Sequence, residues 1–239
     1  MLLYIYSQFY YFDPTYILII IGLIITMLAL IMVNSRFKKY AKVRNMAGLT
    51  GAEVAERILH REGIYDVSIE HVSGSLSDHY DPRSKVLRLS DSTYGSTSIA
   101  AAGVAAHEVG HAIQHARGYA PISLRSALVP VANIGSYASW ILILIGLLFT
   151  GESSQAWLTA GIICFAATVL FHLVTLPVEF NASSRAIRAL TDCGVLYDNE
   201  IGGAKKVLNA AALTYVASAA TAILQLLRLV ILFGGRRRD

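Results

Sequence analysis

The stretch Val104-Ala105-Ala106-His107-Glu108-Val109-Gly110-His111-Ala112-Ile113-Gln114-His115 decides how the rest of this 239-residue chain is read. Ser96 to Ser98 supply a start signal ahead of it, and small and apolar residues continue to about Arg117, before Pro121, so the pattern predicts one long helix. On such a helix His107 and His111 lie about 40° apart and one turn along the axis, so both imidazoles can reach a single Zn²⁺. Glu108 completes an H-E-x-x-H pattern and projects beside the ion, where it can take a proton from a water.

A hydrolytic zinc needs a third protein ligand and one open position. His115 continues the same face but sits about 12 Å of rise beyond His107, too far along a straight helix to share the ion. The long metzincin pattern needs a histidine at position 117, where this chain has Arg117, so that class is excluded. Glu179 is the better choice. It stands in Leu176-Pro177-Val178-Glu179-Phe180-Asn181-Ala182-Ser183, directly after an apolar segment, and Pro177 is expected to begin a new helix whose first turn aims back at the membrane surface.

Composition places this motif in a membrane protein. Hydrophobic residues make up 55% and charged residues 15%, against roughly 25% charged in a soluble domain, with 20 basic and 16 acidic residues. The charges are unevenly spread: 1 lies in 1–33, 21 in 34–130 and 1 in 131–178. Residues 16–33 form an uncharged run able to span about 27 Å, with no basic residue before it and no small-residue cleavage site after it, so a signal peptide is disfavoured. Arg36, Lys38, Lys39, Lys42 and Arg44 follow it. By the positive-inside rule the amino terminus, with a belt of Tyr4, Tyr6, Tyr10 and Tyr11, is expected outside and residue 36 onward in the cytoplasm.

Residues 131–150 and 156–176 read as a transmembrane hairpin with an external loop at 151–155. The last apolar stretch, 207–233, contains Arg228 and precedes Arg236, Arg237 and Arg238, so a helix packed on the protein or lying in the interface fits its charges better than a clean span, and a fourth span stays open. The expected architecture is therefore a mainly α membrane protein: an anchor at 1–35, a small α+β zincin-like cytoplasmic domain at 36–130, a hairpin at 131–176 and a helical part at 177–239. Basic residues beside apolar segments suit anionic lipid, and no nucleic-acid partner is expected. Two cysteines, Cys164 and Cys193, make neither a disulfide framework nor a thiolate metal site.

Within 34–130, Thr50 and Glu53 form a capping box for a helix that stops at Gly63. Alternation at 67–72 and 85–89, with turn chemistry at Asp81 and Pro82, predicts two strands, the second offering an edge to an extended substrate. His79 between Asp78 and Asp81 reads as turn chemistry rather than a second ion site, and His172 as a residue of helix packing. Tyr215, Arg185 and His115 can each stabilise an oxyanion, and the sequence does not choose among them.

Four blocks carry a resemblance: Ser77-Asp78-His79-Tyr80-Asp81-Pro82, the residues from Ala106 to His115, those from Leu176 to Ser183, and Ala211-Ala212-Leu213-Thr214-Tyr215-Val216. Over residues 49–229 the chain resembles the neutral zinc metallopeptidase family of bacterial integral membrane proteins. More distantly it is similar to membrane gluzincins of the prenyl-protein and heat-shock protease type. The resemblance implies His107 and His111 as ligands, Glu108 as base and Glu179 as third ligand. In the distant relatives an Asp usually stands four residues after the ligand Glu; here that position is Ser183, a departure from that pattern.

The function these readings imply is a zinc endopeptidase at the cytoplasmic membrane surface that acts on protein or peptide substrates. The alternative is a membrane scaffold whose zinc is structural, with His115 filling the fourth position. A transporter is disfavoured by the lack of a repeat and of charge in 131–178. The sequence specifies neither substrate nor oligomeric state.

Overall fold

The computed structural model describes residues 13–234. In chain order it contains helix α1 (Tyr16–Tyr40), α2 (Gly51–Arg61), strands β1 (Ser68–Val72), β2 (His79–Asp81) and β3 (Val86–Ser90), and helices α3 (Ile99–Ala116), α4 (Ala120–Leu148), α5 (Gly151–Asp192) and α6 (Asp198–Phe233). The molecule is a mainly α membrane protein: α1, α4, α5 and α6 are each long and apolar enough to cross a bilayer. Its described residues fall into two compact units. One holds those up to 28, 128–172 and from 217 onward; the other holds 29–127 and 173–216.

The first unit is all helical. Ile143 of α4, Leu158, Phe165 and Val169 of α5, and Ala222 and Leu229 of α6 form its buried cluster. At Gly135 the helices approach so closely that an added Cβ would stand 2.8 Å from the Cys164 carbonyl oxygen, the small-residue contact that membrane helices use to pack.

The last apolar stretch forms the later part of α6, a helix long and apolar enough to cross a bilayer. The C-terminal half of α6 runs along α5 to its beginning, where Gln155 donates to the Phe233 carbonyl at 3.2 Å. Arg228, whose charge argued against a span, is paired: its Nη2 lies 3.4 Å from Asp13 Oδ2, its Nε donates to Thr15 Oγ1 at 3.1 Å, and it stacks over the Tyr16 ring at 4.7 Å. A charge compensated in this way is compatible with an apolar helix. The expected tyrosine belt at 4, 6, 10 and 11, and Arg236, Arg237 and Arg238, lie outside the described residues.

Two helix boundaries differ from those expected. The connection between α4 and α5 is Phe149 and Thr150 alone, and residues 151–155 already belong to α5. Pro177 does not begin a helix but sits inside α5, as Pro130 does inside α4. Proline removes one backbone donor and keeps a helical φ, so a long helix whose other ladder bonds are intact continues through it.

The second unit is α+β. Thr50 caps α2 through the expected box, with Glu53 N donating to Thr50 Oγ1 at 3.3 Å and Thr50 N to Glu53 Oε2 at 2.7 Å. The apolar face of α2 (Val54, Ala55, Ile58, Leu59) packs with α3, Leu87 and Leu89 of β3, and Leu190 and Leu208 of the later helices. The sheet order is β1-β3-β2, with β1 parallel and β2 antiparallel to β3, and Tyr80 opposite Leu87. The strand expected as an edge at 85–89 is thus the centre of the sheet. Val86, Leu87 and Leu89 are buried, as a strand paired on both sides requires, and the edges are β1 and β2.

Candidate metal centre

The ligand helix α3 starts at Ser98, whose Oγ accepts from Ala101 N at 3.1 Å, and it is built almost entirely of small residues on its buried faces. Small side chains let neighbouring backbones come close. At Gly110 an added Cβ would stand 2.6 Å from the Ala182 carbonyl oxygen of α5, so only glycine permits this approach. Glu179, one turn before Ala182 on α5, is thereby brought to the histidines.

His107 Nε2 lies 3.2 Å and His111 Nε2 3.6 Å from Glu179 Oε2, and the two imidazole rings meet edge to face at 4.8 Å. The donor atoms of the three residues all fall within 4.8 Å of one another, and Glu179 is 1% exposed. Tetrahedral zinc with bonds of about 2.0–2.1 Å places its donors roughly 3.3 Å apart, so this set of two imidazole nitrogens and one carboxylate oxygen fits the ion. His107, His111 and Glu179 can hold a metal.

Each imidazole is also anchored at its other nitrogen. Ser183 Oγ is 3.1 Å from His107 Nδ1, and Gln114 Oε1 is 3.0 Å from His111 Nδ1. With Nδ1–H donating to these oxygens, Nε2 keeps its lone pair for the ion. Gln114 is fully buried and its Nε2 donates onward to the Val178 carbonyl at 2.8 Å and to Asn181 Oδ1 at 3.0 Å. Arg185 Nε donates to the same Asn181 oxygen at 2.8 Å.

Glu108 is buried beside the histidines, and its Oε2 accepts from the backbone N–H of Tyr80 in β2 at 3.0 Å. Burial pushes its carboxyl above the usual range. His107 and the Tyr80 amide oppose that rise, while the charges of Glu179 and Asp78 add to it. A raised carboxyl accepts and returns a proton more readily than an exposed one.

Of the other candidates, Tyr215 and Ser183 are at the site and Arg185 reaches it only through Asn181. The Tyr215 hydroxyl lies beside Glu179. His115 is directed elsewhere: its Nδ1 is 3.0 Å from the Tyr80 hydroxyl, and both residues line a cavity of about 170 Å³ with Asp66 and Lys85. Asp78 accepts from Ser90 N and Oγ at the end of β3, Asp81 from Arg83 N and Ser84 Oγ in the following turn, and His79 Nδ1 faces the Ser77 carbonyl, so this trio is engaged in holding β2 and its turn. His172 belongs to the other unit.

Sequence reasoning missed Gln114 and Arg125. Gln114 had a readable signal, because three residues after His111 on a helix is the same face. Arg125 had none. Its Nη1 pairs with Glu179 Oε1 at 3.1 Å, a partnership across 54 positions that only the fold creates.

Residues 15–234 match the model of the family described as "Putative neutral zinc metallopeptidase". The chain is 50% identical over 201 residues to the "Putative membrane protease YugP" of Bacillus subtilis (strain 168), an alignment covering 84% of this chain and 88% of that protein. No solved structure gives a significant match. With a family match over nearly its whole length and 50% identity to that relative over 201 residues, the chain belongs to this neutral zinc metallopeptidase family of membrane proteins.

Proposed function

We propose that the chain is a membrane-embedded zinc endopeptidase whose ligands are His107, His111 and Glu179 and whose general base is Glu108. One observation carries this reading: the two histidines of one helix converge on a buried carboxylate of another, with a second carboxylate alongside. Zinc held by three protein ligands supplies a nucleophilic water near neutral pH and a Lewis acid for the scissile carbonyl. Glu108 takes the proton of the attacking water and delivers it to the leaving amine. Ser183 and Gln114 hold the imidazoles in the tautomer that ligation needs. His115, the fourth ligand that a structural zinc site would require, is engaged by Tyr80, which weighs against the scaffold reading.

The substrate is a protein or peptide in extended form. The outer side of β2 suits it, since the Tyr80 N–H there points at Glu108 and a strand added to this edge passes the base. Membrane proteins are the class of substrate proposed, because the chain itself carries four helices long and apolar enough to cross a bilayer. The active site faces the cytoplasm by the positive-inside rule, given Arg36, Lys38, Lys39, Lys42 and Arg44 after the first span. A cysteine placed at residue 153, which is exposed near the start of α5, is expected to react with an impermeant thiol reagent from outside intact cells.

The decisive experiment is Glu108→Gln. The variant is expected to retain one zinc per chain and to lose peptide hydrolysis by a factor of at least about 100. Hydrolysis at the wild-type rate overturns the assignment.

A further inference from the structure

We infer that Arg125 is a positioning residue of the metal centre, a clamp that restricts Glu179 to one ligating oxygen and so keeps the fourth position open. The inference rests on the proposed zinc site. A carboxylate has two oxygens and can bind a metal through either one or both. Here the two are held apart in role: Oε2 stands between His107 Nε2 and His111 Nε2, while Oε1, buried and without a hydrogen-bond partner among the described residues, forms an ion pair with Arg125 Nη1 at 3.1 Å. Glu179 is 1% exposed, so water does not compete for Oε1, and the guanidinium beside it is permanently charged. The Tyr215 hydroxyl lies beside the same carboxylate.

The clamp has a defined origin. Arg125 stands near the start of α4, just beyond the short break between α3 and α4 that leaves Arg117, Gly118 and Tyr119 outside both helices. That break turns the chain so that α4 presents its second turn to the site that α3 forms. Arginine also differs from lysine here: its charge is spread over a planar guanidinium, whereas an ammonium is a strongly hydrated point charge on a flexible stem, so lysine does not reproduce the ion pair with buried Oε1. Freed from Arg125, Oε1 would turn toward the ion and occupy the position that a substrate carbonyl and water need.

The test uses the full chain in detergent, with Arg125→Gln and Arg125→Lys beside the wild type. Zinc affinity is read by competition with a chelating dye, and the ligand field by the visible absorption of the cobalt(II)-substituted protein. Arg125→Gln is expected to weaken zinc by about 10–100-fold and to convert an intense four-coordinate cobalt spectrum into a weaker, five-coordinate one. Arg125→Lys is expected to lose less affinity without restoring the spectrum, and it carries the test if the glutamine variant fails to fold. A purely structural arginine would lower the melting temperature and leave the cobalt spectrum alone; that result, or wild-type affinity in both variants, overturns the clamp. A wild-type chain that binds no zinc overturns instead the metal site on which the inference rests.

Discussion

Ser183 Oγ lies 3.1 Å from His107 Nδ1, on the side of the ring opposite the nitrogen that faces Glu179. A neutral hydroxyl thus does the orienting. Ser183→Ala removes the acceptor and is expected to weaken zinc by roughly tenfold, the low end of the range for such partners. Ser183→Asp supplies a stronger acceptor and is expected to bind at least as tightly as the wild type. Dye competition on the two variants checks both directions.

Gln114 is the only link between His111 and α5 among the described hydrogen bonds, and it is buried at both ends. Gln114→Leu keeps the volume but strands His111 Nδ1 and removes one donor each from the Val178 carbonyl and Asn181 Oδ1. An unsatisfied buried group costs about 1–3 kcal/mol, so the apo-protein should melt several degrees lower and zinc affinity should drop as well. An unchanged melting temperature would mean that water replaces the amide.

Gly110→Ala tests the close approach of α3 and α5. A Cβ 2.6 Å from the Ala182 carbonyl oxygen forces the backbones apart, at a cost of about 1–3 kcal/mol. The separation moves Glu179 away from the histidines, so zinc stoichiometry should drop together with stability. Full zinc occupancy in this variant would show that the site tolerates the shift.

In the helical unit, Asp13 and Arg228 are expected to respond unequally. Asp13→Leu leaves the Arg228 guanidinium on an apolar helix with only Thr15 and the Tyr16 ring as partners. Arg228→Leu removes that charge altogether. The first variant should therefore melt lower in detergent than the second, since an orphaned charge costs more than a missing pair. Equal melting temperatures would argue that Arg228 is satisfied without Asp13.

Thr50→Ala serves as a contrast, because it breaks a capping box remote in role from the ligands. A loss of about 1 kcal/mol in stability is expected with zinc affinity unchanged. A drop in zinc affinity would place α2 among the elements that set the ligand geometry.

Local rules acting over a few residues determined much of this protein. The H-E-x-x-H spacing put His107, Glu108 and His111 on one helical face, the Thr50 and Glu53 pair marked the start of α2, Ser98 marked the start of α3, and uncharged runs marked the spans. Each depends on helical period, capping or hydropathy, which neighbouring residues suffice to specify. Three things were decided only by tertiary contact. Residues 85–89 became the central strand because β2 folds back on one side of them while β1 lies along the other. Arg228 sits on a membrane-length helix because Asp13, 215 positions away, meets its charge. Glu179 is fixed by Arg125, and His111 by Gln114 through Val178 and Asn181, because a glycine at 110 lets two helices touch. Pairings of this kind depend on where distant segments are brought by packing, which the local order of residues does not encode.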